Sequence, residues 1–265
     1  VTAEIFGIYV ILGIAAGILA GLLGIGGGLV IVPVLAWTFA ALDFHEPLIM
    51  HMAVATSLAT VFFTAVSSAW AHHSRGSVRW DVVARLAPGI VTGALLAGWG
   101  ARHLGGVTLR LVFGAFACVA ALHMALGRNP AAHRNLPGPA VVAIAGAIIG
   151  ALSTLVGIGG GTLTVPFLAW CRVDMRTAVG SSAACGVPIA AAGVMAMAVA
   201  GAGLPGLPPH ATGYVYWPAA LAVALASIFA APIGARLAHV LPVPALRRAF
   251  AVLLAAMGIR LITGG

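Results

Sequence analysis

Lysine is absent from this chain and acidic residues are nearly so: the thirteen cationic residues are all arginine, and only five residues are Asp or Glu. Charged residues make up 7% of the 265 positions against 62% hydrophobic ones, and the mean hydropathy is +1.13. No soluble core of this size needs that much apolar surface, so the composition excludes an ordinary soluble domain. The missing lysine reads as genome composition and carries no functional weight. A net charge of +8 would point to nucleic acid in a soluble protein. Here the arginines sit in short stretches between apolar runs, as topology charges do, and nucleic-acid binding is set aside. Cysteine is sparse too. Cys118, Cys171 and Cys185 are scattered without a CxxC pair, which implies neither a disulfide framework nor a zinc site. His45, Glu46 and His51, or His72 and His73, form no repeated ligand set and read as solvated segment ends, so no metal and no cofactor is expected. The first 22 residues carry Glu4 and no cation; lacking the basic start of a signal peptide, they read as a segment of the fold.

What the chain does have is ten apolar stretches, roughly 4 to 23, 28 to 42, 50 to 71, 82 to 101, 107 to 126, 139 to 156, 161 to 171, 176 to 200, 213 to 235 and 245 to 262. Helix is the open-ended structure that satisfies backbone groups in lipid, so the expected fold is an all-α polytopic membrane protein. GRNPAAHRNLPG, residues 127–138, is a polar, Pro/Gly-rich linker. It divides the chain into residues 1–126 and 139–265.

The two halves repeat. GLLGIGGGLVIVPVLAW (21–37) and TLVGIGGGTLTVPFLAW (154–170) align without a gap, and HMAVATSLA (51–59) pairs with RTAVGSSAA (176–184). GAR recurs at 100–102 and 234–236. Repeats on this scale are the usual construction of secondary transporters. If the ten segments alternate across the bilayer, one side collects Arg75, Arg79, Arg128, Arg134, Arg172, Arg176, Arg236, Arg247 and Arg248, and the other only Arg102, Arg110 and Arg260, with Arg85 left aside a few residues inside a segment. The positive-inside rule makes the rich side cytoplasmic and places both termini outside. Five segments per half is odd, so the halves are expected to be inverted. Segments two and seven are short for a core of about 30 Å. Full spans and re-entrant half-helices both remain open for them, since charge does not distinguish the two.

The doubled G-I-G-G-G run, followed by Val-Pro, is the strongest candidate site. Gly26, Gly27 and Gly28, with Gly159, Gly160 and Gly161, let the backbone leave helical geometry and approach a ligand with no Cβ in the way. Pro33 and Pro166 are expected in the first turns of the next helices, where a missing N–H costs least. A helix N-terminus facing a cavity offers free N–H groups and a positive dipole end to an anion. Two such ends brought from opposite faces would converge near the midplane. The plainer alternative is close packing, as for Gly13, Gly17 and Gly21, Gly89 and Gly93, or Gly146 and Gly150. The run is no nucleotide loop: Leu29 and Thr162 stand where a GxGxxG fingerprint needs its last glycine. The second repeated block supplies hydroxyls, Thr56 and Ser57 in one half and Ser181 and Ser182 in the other, which either donate to an oxyanion or bond back to their own helix. His51 and Arg176 align at the starts of segments three and eight, as anion guides or interfacial anchors. His123 is the candidate for a proton-linked mechanism, with a structural histidine as the plainer reading.

The duplicated GxGGGxxxVP followed by an A-[TS]-S block resembles the TauE/SafE (TSUP) family of sulfite and sulfonate exporters, over nearly the whole chain. The resemblance implies transport of sulfite, sulfoacetate or related sulfonates across a bacterial inner membrane. Thiosulfate or small-carboxylate uptake, or a non-transporting membrane partner subunit, are the alternatives. The second hydroxyl block departs from the first, reading GSSAACG rather than ATSLA. A thiol relay through Cys171 or Cys185 is set below the reading as small buried side chains. The five acids, Glu4, Asp43, Glu46, Asp81 and Asp174, all fall at segment ends, so none is placed to relay protons or hold Na⁺. The expected partners are a small anion and the lipid bilayer, with a homo-oligomer left open. An intramembrane hydrolase is disfavoured because no G-x-S-x-G elbow is present.

Overall fold

The computed structural model describes residues 3–23, 27–126, 136–237 and 243–263. Gly26 and most of the linker lie outside the described residues.

The apolar stretches fold as helices: α1 (Ala3–Leu23), α2 (Gly28–Ala41), α3 (Glu46–His73), α4 (Trp80–Gly100) and α5 (Gly106–Leu126) in the first half. The second half holds α6 (Pro139–Val156), α7 (Gly161–Trp170), α8 (Met175–Ala200), α9 (Trp217–Leu237) and α10 (Val243–Thr263). A short 3₁₀ turn, Ala101–His103, extends α4, and a two-stranded hairpin, β1 (Ala211–Thr212) with β2 (Val215–Tyr216), precedes α9. That hairpin corrects the expected start of segment nine at 213. Gly213 turns with φ +55°, and its backbone lies so close to the Ala198 carbonyl that a Cβ would come within 2.0 Å of it.

Among the described residues, Glu46–His73, Trp80–His103, Gly106–Leu126, Pro139–Val156 and Met175–Ala200 are long and apolar enough to cross a membrane. Helices α2 and α7, with 14 and 10 residues, reach only about 21 and 15 Å at 1.5 Å per residue, short of a 30 Å core. Local signals set several boundaries. Pro47 opens α3 in its first turn, and the Asp174 carboxylate caps α8 by accepting from the Arg176 and Thr177 N–H groups. Helix α6 ends on Gly157 in the left-handed region (φ +73°), with Ile158 N–H donating to Ser153 O at 2.9 Å in a Schellman closure.

The helices pair across the halves. Helix α1 packs on α9 and α6 on α4, α3 on α8, and α5 on α10, so each pairing keeps its form when the halves are exchanged. Glycines make the closest seams. A Cβ at Gly89 or Gly93 would lie about 2 Å from the Ala143 or Ala147 carbonyl of α6, and Gly150 meets the Ile90 carbonyl of α4. Gly13 and Gly17 meet Val223 and Ser227 of α9 in the same way. These are the small-residue contacts by which membrane helices approach without a hydrophobic driving force. In the central pair, Gly193 of α8 faces Leu58 of α3 and Gly186 faces Ala65, so the two helices run antiparallel.

Candidate functional site

The α3–α8 pair is the scaffold for both glycine motifs. In the second motif the chain leaves α6 at Gly157, beside Val54 and Val32. It passes Val61 at Gly159 and starts α7 beyond Gly160, where a Cβ would lie 2.6 Å from the Ser182 carbonyl oxygen. The first motif arrives at the same place: a Cβ on Gly28 would lie 2.4 Å from the Gly157 carbonyl oxygen and 2.9 Å from Ile158 Cα. The two motifs therefore touch in the middle of the molecule.

The four hydroxyls expected at the site take different parts. Ser57 Oγ donates to Gly157 O at 2.7 Å, tying α3 of one half to the glycine loop of the other. Thr56 Oγ1 accepts from Tyr216 N–H at 3.0 Å, and Ser181 Oγ accepts from Arg79 N–H at 2.9 Å. These two bonds are counterparts: each joins a hydroxyl of one half to the residue preceding a helix of the other, at Trp217 or Trp80. Ser182 Oγ is buried and has no hydrogen-bond partner among the described residues. The two hydroxyl blocks do not meet each other. Ser182 lies level with Ala69 rather than with Ser57, about 18 Å along α3, and the loop 157–160 runs between them.

More unpartnered hydroxyls surround this loop than the repeated block supplies. Ser153 and Thr154, in the last turn of α6, and Thr162 and Thr164, in the first turn of α7, all have buried hydroxyls without partners among the described residues. Thr164 Oγ1 lies 3.3 Å from the position of a Gly160 Cβ. No side chain caps the α7 N-terminus, and its first helical bond is Thr164 N–H to Gly160 O at 2.8 Å, so the preceding N–H groups have no intrahelical acceptor. Sequence reasoning missed Thr162 and Thr164 as site residues. The signal was their substitution for Leu29 and Ile31 in an otherwise conserved alignment of the two copies.

Pro33 and Pro166 stand as the sixth residues of α2 and α7, inside the helices rather than in their first turns. Their missing N–H groups fall opposite the carbonyls of residues 29 and 162. His51 is no anion guide: it is 3% exposed, stacked on Tyr214 at 4.9 Å, with Nε2 3.0 Å from Ala101 O and 3.1 Å from Leu104 O. With only carbonyls facing it, Nε2 carries the proton. Arg176 is exposed, and His123 is exposed in the last turn of α5 rather than turned inward. Cys171 and Cys185 are buried free thiols.

The described carboxylates lie at element ends. Asp43, Glu46, Asp81 and Asp174 are all exposed at helix starts or in loops. Arg79 is hydrogen-bonded to Asp81, and bonds from Thr177 hold the Asp174 carboxyl below the usual carboxylate range. The loop carrying Arg75 and Arg79 lies against the start of α8, through Ser77 against Gly180, beside Arg172 and Arg176. Four arginines of the predicted cytoplasmic side thus share one end of the molecule.

Comparison with known proteins agrees with this architecture. The family model for "Sulfite exporter TauE/SafE" matches residues 9–261. A "probable membrane transporter protein" of Haemophilus influenzae is 36% identical over 256 residues, covering 95% of this chain and 96% of its own. A protein of the same description from Methanocaldococcus jannaschii is 29% identical over 84% of this chain and 80% of its own. No solved structure matches the chain. With its bundle of apolar helices and this match over nearly the whole length, the chain belongs to the TauE/SafE sulfite exporter family of integral membrane transporters.

Proposed function

We propose that the protein carries small sulfur-containing anions, such as sulfite, sulfoacetate or other organosulfonates, out of the cell across a bacterial inner membrane. The halves are inverted, both termini are periplasmic, and the anion binds by alternating access at the paired glycine breaks. Gly26, Gly27, Gly28, Gly159, Gly160 and Gly161 open the backbone there, with Thr56, Ser57, Ser181 and Ser182 around them. The observation that carries this reading is the contact of Gly28 with Gly157 and Ile158, where both motifs meet a loop held by Ser57 and flanked by Ser182. The family description supports the substrate class.

Charge placement supports efflux. The described carboxylates are exposed at element ends, which leaves the interior without an acid to relay protons or hold Na⁺. A monoanion leaving a negative-inside cell gains about 2.3 kcal/mol per 100 mV, so export needs no coupling ion. The test is release of sulfite from proteoliposomes carrying the purified full chain, with and without an imposed inside-negative potential. Release should accelerate with the potential; transport of neither sulfite nor any sulfonate, by protein shown to be folded, contradicts the reading.

A further inference from the structure

We propose that the anion site is one-sided: of the two equivalent helix starts, only that of α7 binds, through the hydroxyls of Thr162, Thr164 and Ser182 and the free N–H groups of its first turn, and it selects singly charged oxyanions. The inference rests on the transport reading above and narrows it.

Three observations converge on this place. Thr164 and Ser182 are 0% and 1% exposed, their hydroxyls have no partner among the described residues, and both residues border Gly160, Thr164 through its hydroxyl and Ser182 through its backbone carbonyl. A buried hydroxyl without a partner forfeits about 1–3 kcal/mol, so several together at one helix start are explained by a ligand that satisfies them. In the first half the corresponding positions are closed to such a ligand. Leu29 and Ile31, at 1% and 2% exposure, stand for Thr162 and Thr164 and belong to the main apolar core. Ser57, the counterpart of Ser182, spends its hydrogen on Gly157 O.

The donor set fixes the charge class. Hydroxyls and backbone N–H groups are neutral, and the nearby arginines at 79, 172 and 176 are exposed at the end of the bundle rather than turned toward Gly160. The cost of burying an ion rises with the square of its charge, so a dianion costs about four times what a monoanion does. Neutral donors repay only in proportion to the charge. A sulfonate or hydrogensulfite is therefore favoured over sulfate or thiosulfate at this seat.

The experiment titrates detergent-purified full chain with methanesulfonate and with sulfate by calorimetry, in the wild type, Thr164→Val, Ser182→Ala and the double variant, with Thr92→Val as control. Thr92 bonds its own helix at Pro88 O and Gly89 O, on α4. Methanesulfonate should bind the wild type and the Thr92 variant alike, and about tenfold or more weakly after either site substitution. Sulfate should bind more weakly than methanesulfonate throughout. The ligand-free melting temperature of Thr164→Val should hold or rise, because an orphan hydroxyl is removed, whereas a structural role for that hydroxyl predicts a fall. Undiminished methanesulfonate binding in the double variant overturns the one-sided site, and tighter sulfate binding overturns the charge class; the transport reading survives both. Failure of wild-type protein to bind methanesulfonate, while it still transports sulfite in proteoliposomes, overturns this inference alone. Failure of both assays removes the transport reading with it.

Discussion

Helices α2 and α7 carry the same motif, start at matching glycines and differ in almost everything around them. Ten of the fourteen residues of α2 are buried, against two of the ten in α7, Thr164 and Leu168. The far end of α2 is also covered, since the Arg260 guanidinium lies over the Trp37 ring at 4.8 Å, whereas the matching Trp170 is 41% exposed. Of two short helices that begin with the same sequence motif, one is packed into the core and the other is lightly held and carries buried hydroxyls in its first turn. An element that has to bind and release an ion belongs to the lightly packed end of a structure. The two copies share their glycines, and the proposed anion seat rests on the residues in which they differ.

The largest expected effect breaks the part of the comparison in which the halves are equivalent. Gly93→Leu on the α4–α6 seam and Gly17→Leu on the α1–α9 seam each force a side chain into a neighbouring backbone. Each should cost about 3 kcal/mol or more and remove the monodisperse peak in size-exclusion chromatography. Loss in one variant and not the other would show that the seams are not counterparts.

Within the second motif, Gly160 and Gly159 should part company. A Cβ at Gly160 meets Ser182 O at 2.6 Å, backbone that has to shift, whereas one at Gly159 meets only Val61 Cγ1 at 3.2 Å. Gly160→Ala is therefore expected to lower sulfite flux about tenfold or more while the protein remains folded, and Gly159→Ala to lower it less than threefold, on the premise that a misplaced binding group costs about 1.4 kcal/mol or more. Equal losses in the two variants would remove the special role of Gly160.

Much of this was legible in the chain. The ten helices follow from hydropathy, because lipid leaves the backbone few choices, and the described carboxylates lie at element ends, where the sequence places them. The hairpin before α9 was not legible: Tyr214, Val215 and Tyr216 are apolar enough to read as helix, and only the close approach of Gly213 to α8 decides otherwise. The parts taken by Thr56 and Ser181 were also hidden, because their partners Tyr216 and Arg79 are 160 and 102 residues away. Thr162 and Thr164 were in plain view. A repeat is recognised by what its copies share, and these residues matter for what the copies do not share.

Exchanging polarity between the two short helices sharpens the comparison at smaller amplitude. Ile31→Thr places a hydroxyl in a packed apolar site and should lower stability by about 1–3 kcal/mol, read as a drop in melting temperature. An unchanged melting temperature would mean that α2 is no more tightly packed than α7.

The smallest effect concerns the charged ends. Asp174 has a folded-state value below the ordinary aspartate range, so the stability it adds is present above about pH 4 and is lost as pH falls through that lower value. Asp174→Asn should flatten the acid limb of the melting curve slightly without altering it near neutral pH. A change confined to neutral pH would assign Asp174 another part.

The central claim, a single anion seat at α7, is tested most directly by anomalous diffraction from crystals of the full chain soaked in hydrogenselenite, the selenium analogue of hydrogensulfite. The account predicts one selenium peak within hydrogen-bonding reach of Thr164 and Ser182 beside Gly160. A peak at Gly27–Ile31, or two peaks related by exchange of the halves, would contradict it.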